Sequence, residues 1–88
     1  MGHLRHLFEA GDSYAGNLIR AARQKSGIAF LNDAAEAKWC YGILMKEWSL
    51  IQWRKNAGWW DNETVPVLMQ TELKSHTNFL VQRYGREW

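Results

Sequence analysis

Residues 34–56 read AAEAKWCYGILMKEWSLIQWRKN, and the spacing of their apolar positions decides the fold. At about 100° per residue, Ala34, Ala37, Tyr41, Leu44, Trp48 and Ile51 fall on one stripe of a single helix, and Phe30 lies on the same line if the helix reaches back that far. Trp39, Ile43, Leu50 and Trp53 make a second stripe, roughly 165° round the same cylinder. One flank between the stripes holds Lys38, Gly42, Lys46, Ser49, Gln52 and Asn56, with Met45 its apolar member. Along the other flank run Glu36, Cys40, Glu47 and Arg54. Two seams on one helix call for two neighbours, and at about 1.5 Å per residue this helix is roughly 34 Å long.

Local signals bound the helix at both ends. Asp33, with Glu36 three residues later, reads as a capping box with Asp in place of Ser or Thr. Arg54 and Lys55 suit the negative end of the helix dipole, and Gly58 suits the residue after the cap.

Upstream, residues 13–24 put Tyr14, Ala15, Leu18, Ala21 and Ala22 on one side and Asn17, Arg20, Arg23 and Gln24 on the other. Asp12 or Ser13 is the expected N-cap and Gly27 the expected stop. The connector Ile28-Ala29-Phe30-Leu31 is expected to pack under the start of the central helix. Downstream, Pro66 is the only proline. It is favoured at the first helical position and pushes Val65 away from helical geometry. The last helix then carries Met69, Leu73, His76, Leu80 and Tyr84 on one face, with Leu68 and Phe79 beside them, and Gly85 ends it.

Leu4, Leu7 and Phe8 sit at helical spacing before Gly11-Asp12, which makes a short N-terminal helix. No internal repeat, low-complexity tract or alternating run argues for any other element. The sequence thus predicts an all-α fold: one domain over residues 1–88, a small antiparallel bundle of three main helices at 13–25, 34–56 and 66–84 plus the short N-terminal helix.

A chain of 88 residues hides about 60 to 65 per cent of the surface its unfolded form exposes, so its stability margin is thin. Yet 47% of its residues are apolar and six are Trp. Either the core is rich in aromatics or part of that surface belongs to a partner.

The net charge is +2, shared as a mild gradient: +2 over residues 1–27, +1 over 28–58 and −1 over 59–88. That is not a nucleic-acid signature by itself. Cys40 is the single cysteine, which excludes an internal disulfide and fits a reducing compartment. No apolar run approaches the roughly 18 residues of a membrane span, and the opening MGHLRHLFEAGDSYAG lacks the apolar region of a signal peptide. A cytoplasmic protein with no membrane partner is expected. Asn62-Glu63-Thr64 matches a glycosylation sequon but reads as turn chemistry in that setting.

The chemistry-bearing side chains each have an ordinary reading. His76, on an apolar helix face, is expected to be a neutral imidazole satisfied by one hydrogen bond. Cys40, His76 and Glu47 are the parts of a cysteine nucleophile. All three would lie in mid-helix, however, far from the exposed turn or helix N-terminus that lowers a thiol pKa. His3 and His6 share a helical face, but two ligands at a terminus do not make a metal site. Neither metal, cofactor nor catalytic residue is expected. Glu47, set between apolar stripes, must find a partner or a wet edge. It pairs with Arg or Lys of a flanking helix, or its groove is open to a partner's basic side chain; Arg54 is two turns away and hard to reach.

Leu18-Ile-Arg-Ala-Ala-Arg-Gln-Lys-Ser-Gly-Ile28 resembles the first helix of lambda-repressor-like helix-turn-helix domains. The resemblance covers about a dozen residues. A Leu-Ala pair and a turn-opening Gly should follow in that family, where this chain has Asp33-Ala34 and Lys38. The central helix continues where the family turns, so no DNA-contacting residue is carried over.

Two adjacent indoles in a turn, Trp59 and Trp60, cannot easily point into one core, and exposed Trp is enriched at interaction hot spots. One of them caps the bundle and the other leans on a helix end, or both are surface. Trp88 is either a dangling residue or a third element of the same patch. The expected function is a small non-enzymatic protein-protein interaction module: an inhibitor, adaptor or assembly factor of the kind phages and mobile elements encode, self-associating or bound to another protein. Trp39, Trp53, Trp59, Trp60, Glu47 and Arg54 would carry it. The alternative is a small nucleic-acid-binding protein using a basic helix face of Arg20, Arg23 and Lys25, with Lys46 and Lys55.

Overall fold

A computed structural model of the chain describes residues 13–60 and 62–88. They form three α-helices, α1 (Tyr14–Ser26), α2 (Asp33–Asn56) and α3 (Thr64–Tyr84), closed by a single 3-10 turn, Gly85–Glu87. No strand occurs among the described residues, so the expected all-α bundle is the fold. The short N-terminal helix and the His3/His6 pair lie outside the described residues.

The helix ends show local chemistry at work. Ser13 Oγ accepts from the Gly16 amide at 2.9 Å, satisfying one of the donors that every helix start leaves open. Gly27 closes α1 in the left-handed region at φ 63°, its amide reaching Arg23 O.

At α2 the expected capping box is not what forms. Asn32 is the cap, its Oδ1 accepting from the Ala35 amide at 2.8 Å, while the Glu36 carboxylate is drawn sideways to an arginine of α1. α3 begins at Thr64, not Pro66. Proline is tolerated there because first-turn amides have no intrahelical acceptor, and the carbonyl its ring would meet belongs to Asn62, before the helix. Asn62 Oδ1 accepts from the Thr64 amide at 2.9 Å, which is the turn chemistry the Asn-Glu-Thr triplet suggests.

The core is aliphatic. Ala15 and Ile19 of α1, Ala37, Cys40, Leu44 and Ile51 of α2, and Leu73 and Leu80 of α3 are all fully buried. None of the six tryptophans is among them. α2 and α3 share the largest helix interface, and the first stripe of α2, with Ala34, Ala37, Leu44 and Ile51 inside, is the seam they share.

Trp88 is docked: its Nε1 donates to Ala34 O at 3.0 Å and its ring lies 5.2 Å from that of Tyr41. It therefore sits near the start of α2, far from Trp59, and belongs to no common patch with it. The connector between α1 and α2 packs less than expected. Phe30 stacks on Trp39 at 5.3 Å, but Ile28 is half-exposed and Leu31 is 99% exposed.

Because Leu44 is fully buried where the helices meet, Leu44→Ala is expected to cost about 2–5 kcal/mol. That is a large share of a small domain's stability, and urea denaturation followed by circular dichroism measures it.

Candidate functional site

The flank of Glu36, Cys40 and Glu47 is the line along which α1 is fastened to α2. Near the end of α1, Arg23 Nη1 hydrogen-bonds and ion-pairs with Glu36 Oε2, their side chains only 9% and 2% exposed. Arg23 Nη2 also approaches Cys40 Sγ at 3.8 Å. At the start of α1, the Tyr14 hydroxyl donates to Glu47 Oε1 at 2.5 Å. The carboxylate beside it, together with burial, pushes the Tyr14 hydroxyl pKa upward, burial being the larger cause. The contacts thus run in reversed order along the two helices. α3 adds a third fastening, since Glu72 Oε1 accepts from the Ala15 amide at 2.8 Å, a carboxylate at the positive end of the α1 dipole.

Glu47 is therefore answered by a tyrosine and not by the lysine or arginine of a flanking helix that the sequence suggests. Arg54 does come within reach, at 4.0 Å, in a half-exposed pair. The acid that takes an arginine of α1 is Glu36. Arg23, placed by sequence on a phosphate-binding face, turns its guanidinium inward; Lys25 stays exposed and Arg20 Nη1 contacts Asn17 Oδ1 at 3.3 Å.

With α1 held on that flank, the second stripe of α2 is only partly covered. Trp39 and Ile43 are half-buried, Leu50 is 37% exposed and Trp53 is 59% exposed. Between α1 and this stripe lies an open groove of about 660 Å³. Leu18, Ala21 and Ala22 form one wall, Trp39, Ile43 and Leu50 the other; Lys25, Lys38 and Lys46 also line it, as do Glu47 and Gly42. Sequence reasoning names Lys25 and Lys46 only as phosphate contacts and leaves Lys38 and Gly42 as members of a polar flank, so it misses the groove that they line. The available signal was Lys38 and Lys46 one position before and three after the stripe residues Trp39 and Ile43, with a glycine midway between them.

The far end of the stripe is shaped by the α2 terminus. Gly58, at φ 78°, lets the Trp59 amide fold back to Arg54 O at 3.0 Å and its own amide reach Lys55 O at 3.1 Å. That returns the Trp59 ring to Trp53, edge-on at 5.6 Å, with the Arg54 guanidinium 5.8 Å above its centre. Trp59 is 63% exposed. Trp60 behaves differently: it is half-buried, and its indole N–H is buried with no hydrogen-bond partner among the described residues. So Trp53, Arg54 and Trp59 form one surface cluster, while Trp60 leans on the body of the protein.

Burial pushes the Cys40 thiol up to about 12, against a smaller lowering by Arg23. It gains nothing of the activation a cysteine nucleophile needs. His76 is held below its ordinary value by burial, and its Nδ1 lies 3.0 Å from Glu72 O. Among the described residues no group of three or more His, Cys, Asp or Glu gathers to hold a metal ion, and no helix is long and apolar enough to cross a membrane. No protein-family model, curated protein or solved structure matches the chain.

Two substitutions check this geometry. Arg23→Met leaves the Glu36 carboxylate buried without its cation and is expected to cost about 3–5 kcal/mol. The double change Arg23→Met, Glu36→Leu should recover most of that loss in urea denaturation. Gly58→Ala forces a side chain into the left-handed region at about 1–2 kcal/mol; near-ultraviolet circular dichroism should report the altered Trp53–Trp59 pairing while helix content holds.

Proposed function

We propose that this chain is a non-enzymatic protein-protein interaction module, an inhibitor, adaptor or assembly factor. It acts in the cytoplasm by burying the Trp-rich outer face of α2 against a partner protein or a second copy. The observation that carries this reading is the second stripe: Leu50 and Trp53, continued by Trp59, stay exposed and Trp39 and Ile43 only half-buried, on a fold whose fully buried core holds no tryptophan. The few residues that dominate binding at protein interfaces are enriched in Trp and Arg, and large exposed apolar patches on a small domain mark contact surfaces. Arg54 beside Trp53 and Trp59 supplies both residue types in one cluster.

The nucleic-acid alternative has less to rest on, because Arg23 is engaged with Glu36 and only 9% exposed. Phosphate contacts are strongest at low salt. Undetectable binding to duplex and single-stranded DNA under those conditions is the expected outcome, and salt-sensitive binding would favour the alternative.

The decisive variant is Trp53→Ala with Trp59→Ala. Both rings are more than half exposed, so circular dichroism should show unchanged helix content. The wild type is expected to form a dimer or larger species at micromolar concentration, or to retain a defined protein from lysate. The variant should weaken that association by about tenfold or more, roughly 1.4 kcal/mol. A wild type that stays monomeric and retains nothing the variant loses would remove the reading.

A further inference from the structure

We propose that the groove between α1 and α2 receives one amphipathic helix of a partner protein, with acidic residues flanking its apolar face and its backbone lying over Gly42. This rests on the interaction reading above and names the chemistry of the partner.

The shape fits a helix. On α2 the groove runs from Lys38 to Leu50, about 18 Å of helix axis, or roughly three turns of an occupant. Its apolar walls meet a row spaced i, i+3 or i+4, i+7, which is how a helix is read in a groove. Strand addition would need a free sheet edge, and the described residues contain no strand.

Gly42 is an independent observation. A Cβ placed there would meet nothing within 4 Å, and the residue has no positive φ. Nothing among the described residues therefore requires glycine at this position. Yet glycine in a helix interior sacrifices about 0.5–1 kcal/mol relative to alanine. What it provides is a low point in the groove floor between Lys38 and Lys46, one turn to either side, where another backbone can come close.

The charge selects the occupant. Among the described residues, Lys25, Lys38 and Lys46 line the groove against a single carboxylate, Glu47, which already accepts from Tyr14. Long lysine stems lie along apolar surface while their ammonium groups reach outward, so an acidic flank on the occupant meets them at the rim. A second copy placed face to face would instead set Lys38 and Lys46 against their own counterparts, and like charges opposed in this way are unfavourable.

The test uses the full chain and three labelled synthetic helical peptides of about 16 residues that share one apolar stripe and differ only in flanks of Glu, Gln or Lys. Fluorescence anisotropy of the label reads binding at low and high salt. The Glu-flanked peptide is expected to bind about tenfold tighter than the Gln-flanked one, or better, with the difference shrinking as salt rises. Gly42→Leu should lose about tenfold of that affinity at unchanged helix content. Gly42→Ala should raise the thermal midpoint by roughly 2–6 °C while weakening the peptide. Lys38→Glu with Lys46→Glu should transfer the preference to the Lys-flanked peptide.

Equal affinity for the three peptides, indifference to Gly42→Leu, or no binding at all overturns the acidic-helix proposal. If the proposal fails but self-association is lost on Gly42→Leu, the occupant is a second copy and the interaction reading stands. Should no peptide bind and the Trp53, Trp59 double variant also behave as wild type in mass and retention, both fall together.

Discussion

Glu36 is an ionisable side chain only 2% exposed, and the position of α1 follows from the need to answer it. A buried carboxylate without a cation would cost the fold several kcal/mol. Arg23 meets it from the last turns of α1, and Tyr14 meets Glu47 near the first, so the helix is held at two points on one flank of α2. Packing and electrostatics agree on this placement. Ile19 and Ala15 are brought into the core beside Cys40 and Leu44, and Glu72 reaches the α1 N-terminus from the third side.

The same placement creates the open surface. α2 carries two seams, but its neighbours cover one seam and one flank. α3 takes the stripe that ends in Ile51, and α1 sits over the line of Glu36, Cys40 and Glu47. The stripe of Trp39, Ile43, Leu50 and Trp53 is left with a partial wall on one side, and the left-handed turn at Gly58 adds Trp59 to its end. Core and surface are thus consequences of a single choice of flank.

How much of this could be read from the residues depends on how local the cause was. Ser13, Gly27 and Gly58 act on amides a few positions away, so the ends of α1 and α2 were legible to within a residue or so. Asp33 and Glu36 misled because the cap shifted to Asn32 once an arginine from another helix claimed Glu36. Pro66 misled by two residues because its constraint excludes helix interiors and not first turns. Which seam of α2 faces inward was not legible, since the two are similarly apolar and the decision lies in contacts with α1 and α3. Tyr14 looked like a core aromatic, and only the fold reveals that its hydroxyl is what Glu47 needs.

The distribution of tryptophan carries one more consequence. Indole emission reports the polarity around the ring, and here the rings surround the aliphatic core and do not fill it. Intrinsic fluorescence of this protein therefore mixes two exposed rings, Trp53 and Trp59, with four half-buried ones. Covering Trp53 and Trp59 would shift emission to the blue with no change in backbone structure, while loosening of the core, against which Trp39, Trp48 and Trp88 pack, would expose those rings and lower the backbone signal together. Contact and unfolding become separable by two optical readings of the same unlabelled sample.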